Sequence, residues 1–357
     1  MNPERISSLH DDLLVPKATE HLGEYSDYPE RFDPSEKSVL TRLEQFGIDL
    51  TQAQEEYGKE IKDFSWEDYE GLVAKAIKVR YDIIVGSVFD QYMFPTTENP
   101  EESERWEKML KLVERYENMD AKFGLNLVKR KADIQEGGNL VMGLEAGAHL
   151  IKSLADLKKL QDQGIKLFGF QYGKETPLAG PEGLSKFGVE SARYLLDNNL
   201  IIDLAHSGYK TRQGIMQIAK DTGKGNLISY THGSSEADIV EKWRDKVGER
   251  ALKPEEIQEI IKNGGIIGLG VSEPFFSSTQ KIAERIDDIS QLEGGIDHLA
   301  LGTDFGGVAP EFLKEIKKPE DLKVLADILA GDFKMDEADI DKVIRTNAKE
   351  WIKSAID

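Results

Sequence analysis

The chain contains no cysteine, which removes disulfides, thiolate metal sites and a cysteine nucleophile together. Any metal it holds must therefore take nitrogen and oxygen ligands. Long apolar runs are missing as well: none approaches the ~18 residues that a membrane span requires. The opening MNPERISSLHDDLL has no basic-then-apolar leader pattern, so a cytoplasmic location with no membrane partner is expected. Positive charge is the scarcer sign, with 46 Lys and Arg against 66 Asp and Glu and a formal charge of −20. Such a surface repels a nucleic-acid backbone or an anionic bilayer, whereas an acidic cleft would favour a cation.

What is present is a repeating pattern. A length of 357 residues suits one large α/β barrel or two medium domains. Seven apolar stretches of strand length occur: YDIIVGSVF (81–89), NLVMGL (139–144), GIKLFGF (164–170), LIIDLA (200–205), NLISYT (226–231), GIIGLGV (265–271) and HLALGT (298–303). Amphipathic segments such as SLADLKKLQDQ, GVESARYLLDNN and KPEEIQEIIKNGG separate them, the last with Pro254 at a first turn and Gly264 at a C-cap. Near-continuous apolar strands alternating with helices read as parallel strands buried on both faces. An eighth strand, needed to close a barrel, has only RISSLHDD (5–12) left to supply it. We expect one (β/α)₈ TIM barrel over residues 1–357, with helical insertions around 33–70 and 95–126.

In such a barrel the chemistry sits at the C-terminal ends of the strands, where the βα loops converge. Glu145, His206, His232 and Asp304 each follow a strand, and His10 and Asp12 are two residues apart on the first, so an extended backbone points both to one side. These six side chains suit Zn²⁺, with Mn²⁺ or Co²⁺ as alternatives. A single histidine after a strand is more often a hydrogen-bonded structural residue, yet here five strand ends carry His, Asp or Glu. His149, four residues after Glu145, is a rival ligand read as structural. His298 and His21 receive no function, and Asp203, three residues before His206, faces the other way and receives no metal.

These residues lie in HDD (10–12), GLEAG (143–147), DLAHSG (203–208), SYTHGSS (229–235) and LGTDFGG (301–307). In that order they resemble the motifs of the membrane (renal) dipeptidase family, metal-dependent hydrolases on a barrel related to the amidohydrolases. The similarity extends through VGSVFDQY, GLSKFG, GERALKPEEI and RTNAKEWI, and so covers nearly the whole chain. The resemblance implies that His10 and Asp12 bind one zinc, that His206 and His232 bind another, and that Glu145 bridges them. It implies further that a metal-bridging hydroxide attacks the amide carbonyl of a dipeptide, that Asp304 handles the proton or the substrate ammonium, and that Arg250 pairs with the terminal carboxylate. Three positions depart from the family: Tyr172 where many members have histidine, Ala251 where asparagine is usual, and Gly306 where a second aspartate is usual. Tyr172 is expected to donate to a developing oxyanion. The departures leave open N-acyl amino acids, lactones or another ester or amide as substrates, or a catalytically dead relative that only binds. A homodimer is also left open.

Overall fold

Each of the eight stretches forms a strand in the computed structural model, which describes residues 5–11, 36–60, 63–90, 100–173, 175–307 and 313–356. The strands are β1 (Ile6–Asp11), β2 (Tyr81–Val88), β3 (Asn139–Leu144), β4 (Ile165–Gly169), β5 (Ile201–Asp203), β6 (Ile228–Tyr230), β7 (Ile266–Leu269) and β8 (Leu299–Leu301). They pair in chain order, every pair parallel. The result is a nearly closed (β/α)₈ barrel with helices outside. A two-residue strand, Asn126–Leu127, pairs additionally with β3.

The side chains explain why these stretches became strands. Ile83, Leu140, Met142, Ile202, Ile267 and Leu299 are all almost fully removed from solvent, each worth roughly 1.5–3 kcal/mol of burial. Between strands the chain stops and restarts on serine. Ser65, Ser153, Ser185 and Ser278 each precede a helix, and their side chains accept from the backbone N–H three residues on, which satisfies one of the orphan donors there. Pro254 opens the helix Pro254–Lys262, as its fixed φ favours.

The seam between β1 and β8 shows what the unpromising serines of the first strand do. Thr303 N donates to Ser8 Oγ at 3.1 Å, the two hydroxyls lie 3.2 Å apart, and Asp304 N donates to the carbonyl of His10 at 2.9 Å. Closure is thus partly a side-chain bond, which an aliphatic residue at position 8 could not make. The β1–β2 register slips between Ser8 and Asp11, a bulge of the kind that re-aims a side chain at a barrel rim.

Residues 33–70 and 95–126 contribute the helices Glu36–Gln45, Leu50–Tyr57 and Glu102–Phe123 and the start of Trp66–Arg80; positions 33–35, 61–62 and 95–99 lie outside the described residues. The helix Glu36–Gln45 reaches the barrel mouth. Buried Arg42 donates through Nη1 to the Gly306 carbonyl, and Gln45 Oε1 accepts from Gly306 N at 2.9 Å. No helix among the described residues is long and apolar enough to cross a membrane.

Candidate functional site

Five strand ends bring their polar side chains to one point at the barrel mouth. Glu145, after β3, is the hub: its Oε2 lies 3.5 Å from His10 Nε2, and its Oε1 lies 3.0 Å from His206 Nε2 and 4.0 Å from His232 Nε2. Ser87 at the end of β2 donates to Oε2 at 2.8 Å. The His10 and His232 rings stack at 4.1 Å, and Asp304 Oδ1 stands 3.7 Å from His10 Nε2. Asp12 lies outside the described residues, as does His21.

Two backbone features aim these groups. His206 and Asp304 both have left-handed φ, 60° and 57°, which non-glycine residues adopt only at a cost and mostly at functional turns. Gly268 and Gly302 lie so close to the Thr231 carbonyl that a Cβ on either would sit 1.9 Å from its oxygen. Only glycine lets β7 and the end of β8 close on the residue that precedes His232.

Burial and partners set the charges. Burial opposes ionisation of Glu145, but His10, the His206 hydrogen bond and His232 outweigh it and hold its carboxyl below the usual carboxylate range. Burial pushes His206 down to about 4 despite Glu145, and burial with the neighbouring His10 and His206 pushes His232 well below its ordinary value. Near neutral pH the site therefore offers an ionised carboxylate at Glu145 and neutral imidazoles at His206 and His232.

The other ring nitrogens are held in contrasting ways. Asp203 accepts from Thr231 Oγ1 at 2.6 Å, Thr231 N at 2.9 Å, Ala205 N at 3.2 Å and Ser229 Oγ at 3.3 Å. With its one proton given to Asp203, the Thr231 hydroxyl accepts from His232 Nδ1 at 3.0 Å, and this assigns the proton of His232 to Nδ1 and leaves Nε2 a lone pair. At His206 the neighbour is a donor: Arg250 Nη1 is 3.0 Å from Nδ1. Nδ1 must accept, so the network assigns the proton to Nε2, which donates towards Glu145 Oε1 and the His232 Nε2 only 2.8 Å away.

This donor set fits a divalent cation. One donor atom each from His10, Glu145 and His232 lies within 4.8 Å of the others, and neutral imidazole with carboxylate is the oxygen and nitrogen set that a cysteine-free chain can offer. His206 adjoins that cluster through Glu145 and His232. Tyr172 packs its ring on His206, with centroids 4.2 Å apart, and the Arg250 guanidinium lies 5.7 Å from the Tyr172 centroid. Apart from Asp12, every site residue expected from sequence thus comes to one place.

His149 is elsewhere: its Nε2 lies 2.7 Å from Asp90 Oδ2, which also binds Arg105. That cluster steadies the Glu145 turn, because Asp90 N donates to the Ala146 carbonyl at 2.7 Å. His298 opens β8 and meets the Gly265 carbonyl through Nδ1 at 2.6 Å. Sequence reasoning missed Asp11, which accepts from Thr303 Oγ1 and from Phe305 N; burial pushes its carboxyl up to about 7 against those bonds. Only the polar residue inside an apolar run, at Asp203, and the hydroxyl next to His232 gave a signal for the Asp203–Thr231 support. A cavity of about 630 Å³ opens beside the residues that flank Arg250, lined by Gln171, Gly173, Gly208, Glu249 and Ala251 among others.

Comparison with known proteins adds a family and a fold. Residues 47–355 match the family described as membrane dipeptidase, peptidase family M19. An uncharacterized dipeptidase of Schizosaccharomyces pombe is 24% identical over 255 residues, which are 66% of this chain and 58% of that protein. The chain spans less than two thirds of the length of the curated relatives it matches. Among solved structures, a metallopeptidase named dipeptidase AC superimposes with a TM-score of 0.68 at 15% identity, covering 99% of each chain. A Rhodobacter sphaeroides metallopeptidase, solved with a phosphinate mimic of the dipeptide L-Ala-D-Ala, gives 0.65 at 15% identity over 98% of each chain. At these identities the structural likeness carries the fold alone.

Proposed function

Because the chain belongs to the membrane dipeptidase family, peptidase family M19, and is thereby a hydrolase of the metal-dependent dipeptidase type, we propose that it cleaves dipeptides with two zinc ions held at the barrel mouth. The observation that carries this reading is the position of Glu145 between His10 on one oxygen and His206 and His232 on the other. His10 and Asp12 would hold one ion and His206 and His232 the second, with Glu145 shared between them. When bound, a metal pair makes a shared water acidic enough to give hydroxide near neutral pH.

The protein's own side chains supply the rest. Asp304, beside His10, is placed to take the proton of the attacking water and return it to the leaving amine, or to hold the substrate ammonium. Arg250 presents a guanidinium fork suited to a terminal carboxylate. Tyr172, packed on His206, is placed to donate its phenolic proton to oxyanion charge.

Metal analysis of the purified protein combined with a substrate panel tests the proposal. Two zinc ions per chain, hydrolysis of dipeptides and its loss on chelation are expected. A protein that takes up no metal and gains neither amidase activity nor thermal stability from added zinc would overturn it. The panel includes N-acyl amino acids and lactones, because Tyr172, Ala251 and Gly306 stand where the family usually has other residues; cleavage of these alone would move the assignment within the same chemistry.

A further inference from the structure

Arg212 and Glu256 form a fully buried ion pair beneath the site, and every donor of the guanidinium is used. Nε and Nη2 grip the two Glu256 oxygens at 2.8 and 2.7 Å. The remaining N–H groups go to three backbone carbonyls: Nη1 to Ser207 at 2.6 Å and Glu249 at 2.9 Å, and Nη2 to Ala251 at 2.9 Å. Ser207 adjoins His206, and Glu249 and Ala251 flank Arg250. The Arg250 carbonyl is itself held by Tyr230 Oη at 3.0 Å, so three successive carbonyls are fixed. Glu256 Oε2 also accepts from Lys253 N at 3.0 Å, tying the following helix to the same frame.

A buried ion pair is a poor source of stability, since desolvation offsets its attraction and an apolar pair of similar volume often does as well. The particular carbonyls it holds call for another explanation. We propose that Arg212 and Glu256 are positioning residues that set the distance between Arg250 and His206, and so the separation between a bound terminal carboxylate and the amide to be cut. This rests on the dipeptidase reading for the carboxylate, but not for the hold on His206. Ordinary fork geometry is required: a lysine at position 212 keeps the charge but cannot reach three carbonyls and both oxygens of Glu256.

The test compares zinc-loaded wild type, Arg212→Lys and the apolar pair Arg212→Met/Glu256→Leu, which removes the frame without leaving a buried charge alone. Each is assayed on an alanyl dipeptide and on the same dipeptide as its C-terminal amide, and zinc affinity is read by chelator competition. Expected for both variants is a loss of about 10–100-fold in kcat/KM on the free acid, mostly in KM, with a much smaller loss on the amide, and zinc affinity lower by about tenfold. Combined with Arg250→Met, the Arg212→Lys change should add little further to KM, because the group it positions is gone. Equal losses on acid and amide, with unchanged zinc affinity and only a lower melting temperature, would overturn the proposal. If wild type binds zinc but cleaves no dipeptide, the dipeptidase reading falls, and the zinc arm alone decides whether Arg212 positions His206.

Discussion

His206 and His232 end consecutive strands, aim their Nε2 atoms at the same carboxylate and lie 2.8 Å apart there, yet their rings are backed by opposite chemistry. Behind His232 stands an acceptor, the Thr231 hydroxyl fixed by Asp203, so its Nε2 lone pair is ready for a metal. Behind His206 stands a donor, Arg250, so its Nε2 carries the proton and donates to Glu145. One histidine presents a free lone pair and the other would have to be converted: to hold a metal through Nε2, as proposed, His206 would have to give up that proton and Arg250 would have to leave Nδ1. The group proposed to bind substrate would thus also guard a proposed metal ligand.

Four measurements break or sharpen this contrast. The largest effect falls on neither histidine: Asp304→Asn should lower kcat by about a thousandfold with zinc content retained, the loss expected of a proton-transfer group, and a residual rate within tenfold of wild type would remove Asp304 from that role. Thr231→Val deletes the support of His232 alone and should weaken zinc binding by about 10–100-fold, with Thr231→Ser restoring it; an unchanged affinity would mean that the tautomer does not depend on the hydroxyl. Arg250→Met should act in the opposite direction at His206, leaving zinc affinity equal or higher by a few-fold. Its KM for free-carboxylate dipeptides should rise by roughly 10–100-fold for a lost charged hydrogen bond, and weaker zinc binding would refute the competition.

The smallest effect is on the pH dependence of stability in the metal-free protein. His206 is held at about 4 against an ordinary 6.5, so between those values the unfolded chain binds a proton that the folded chain refuses, and stability rises with pH. Asp11, raised from 3.8 to about 7, does the reverse: the folded chain keeps a proton that the unfolded chain has lost, and stability falls as pH rises from 3.8 towards 7. The two oppose one another in wild type. Relative to wild type, His206→Gln should make the melting temperature rise less steeply with pH over this range and Asp11→Asn more steeply, each by a few degrees; profiles parallel to that of wild type would show that neither group titrates as described.

The seven apolar strands were legible because burial on both faces writes a continuous apolar run, and the structure only trims their ends where the chain turns into the loops. β1 was legible by elimination, since Ser8 serves a seam with a residue near position 303 that no local pattern announces. The His, Glu and Asp residues at strand ends were legible from the rule that places chemistry there. Their supports were not. Arg212 and Glu256 are 44 positions apart on amphipathic helices where a charge reads as solvated, and only folding shows both to be buried. Asp203 was given no metal and no role; that its carboxylate holds Thr231 behind His232 is a contact between neighbouring strands that no local pattern announces.

The seam at Ser8 and Thr303 joins residues 295 positions apart. During synthesis the strand bearing His10 is made first, and it has no β8 to pair with until almost the whole barrel has left the ribosome. Its edge stays open throughout, the hazard of parallel folds with distant pairings. The candidate site inherits this schedule: the strand bearing His10 precedes the others and meets Asp304 only when β8 is in place, so the full set of site residues comes together only as the barrel closes.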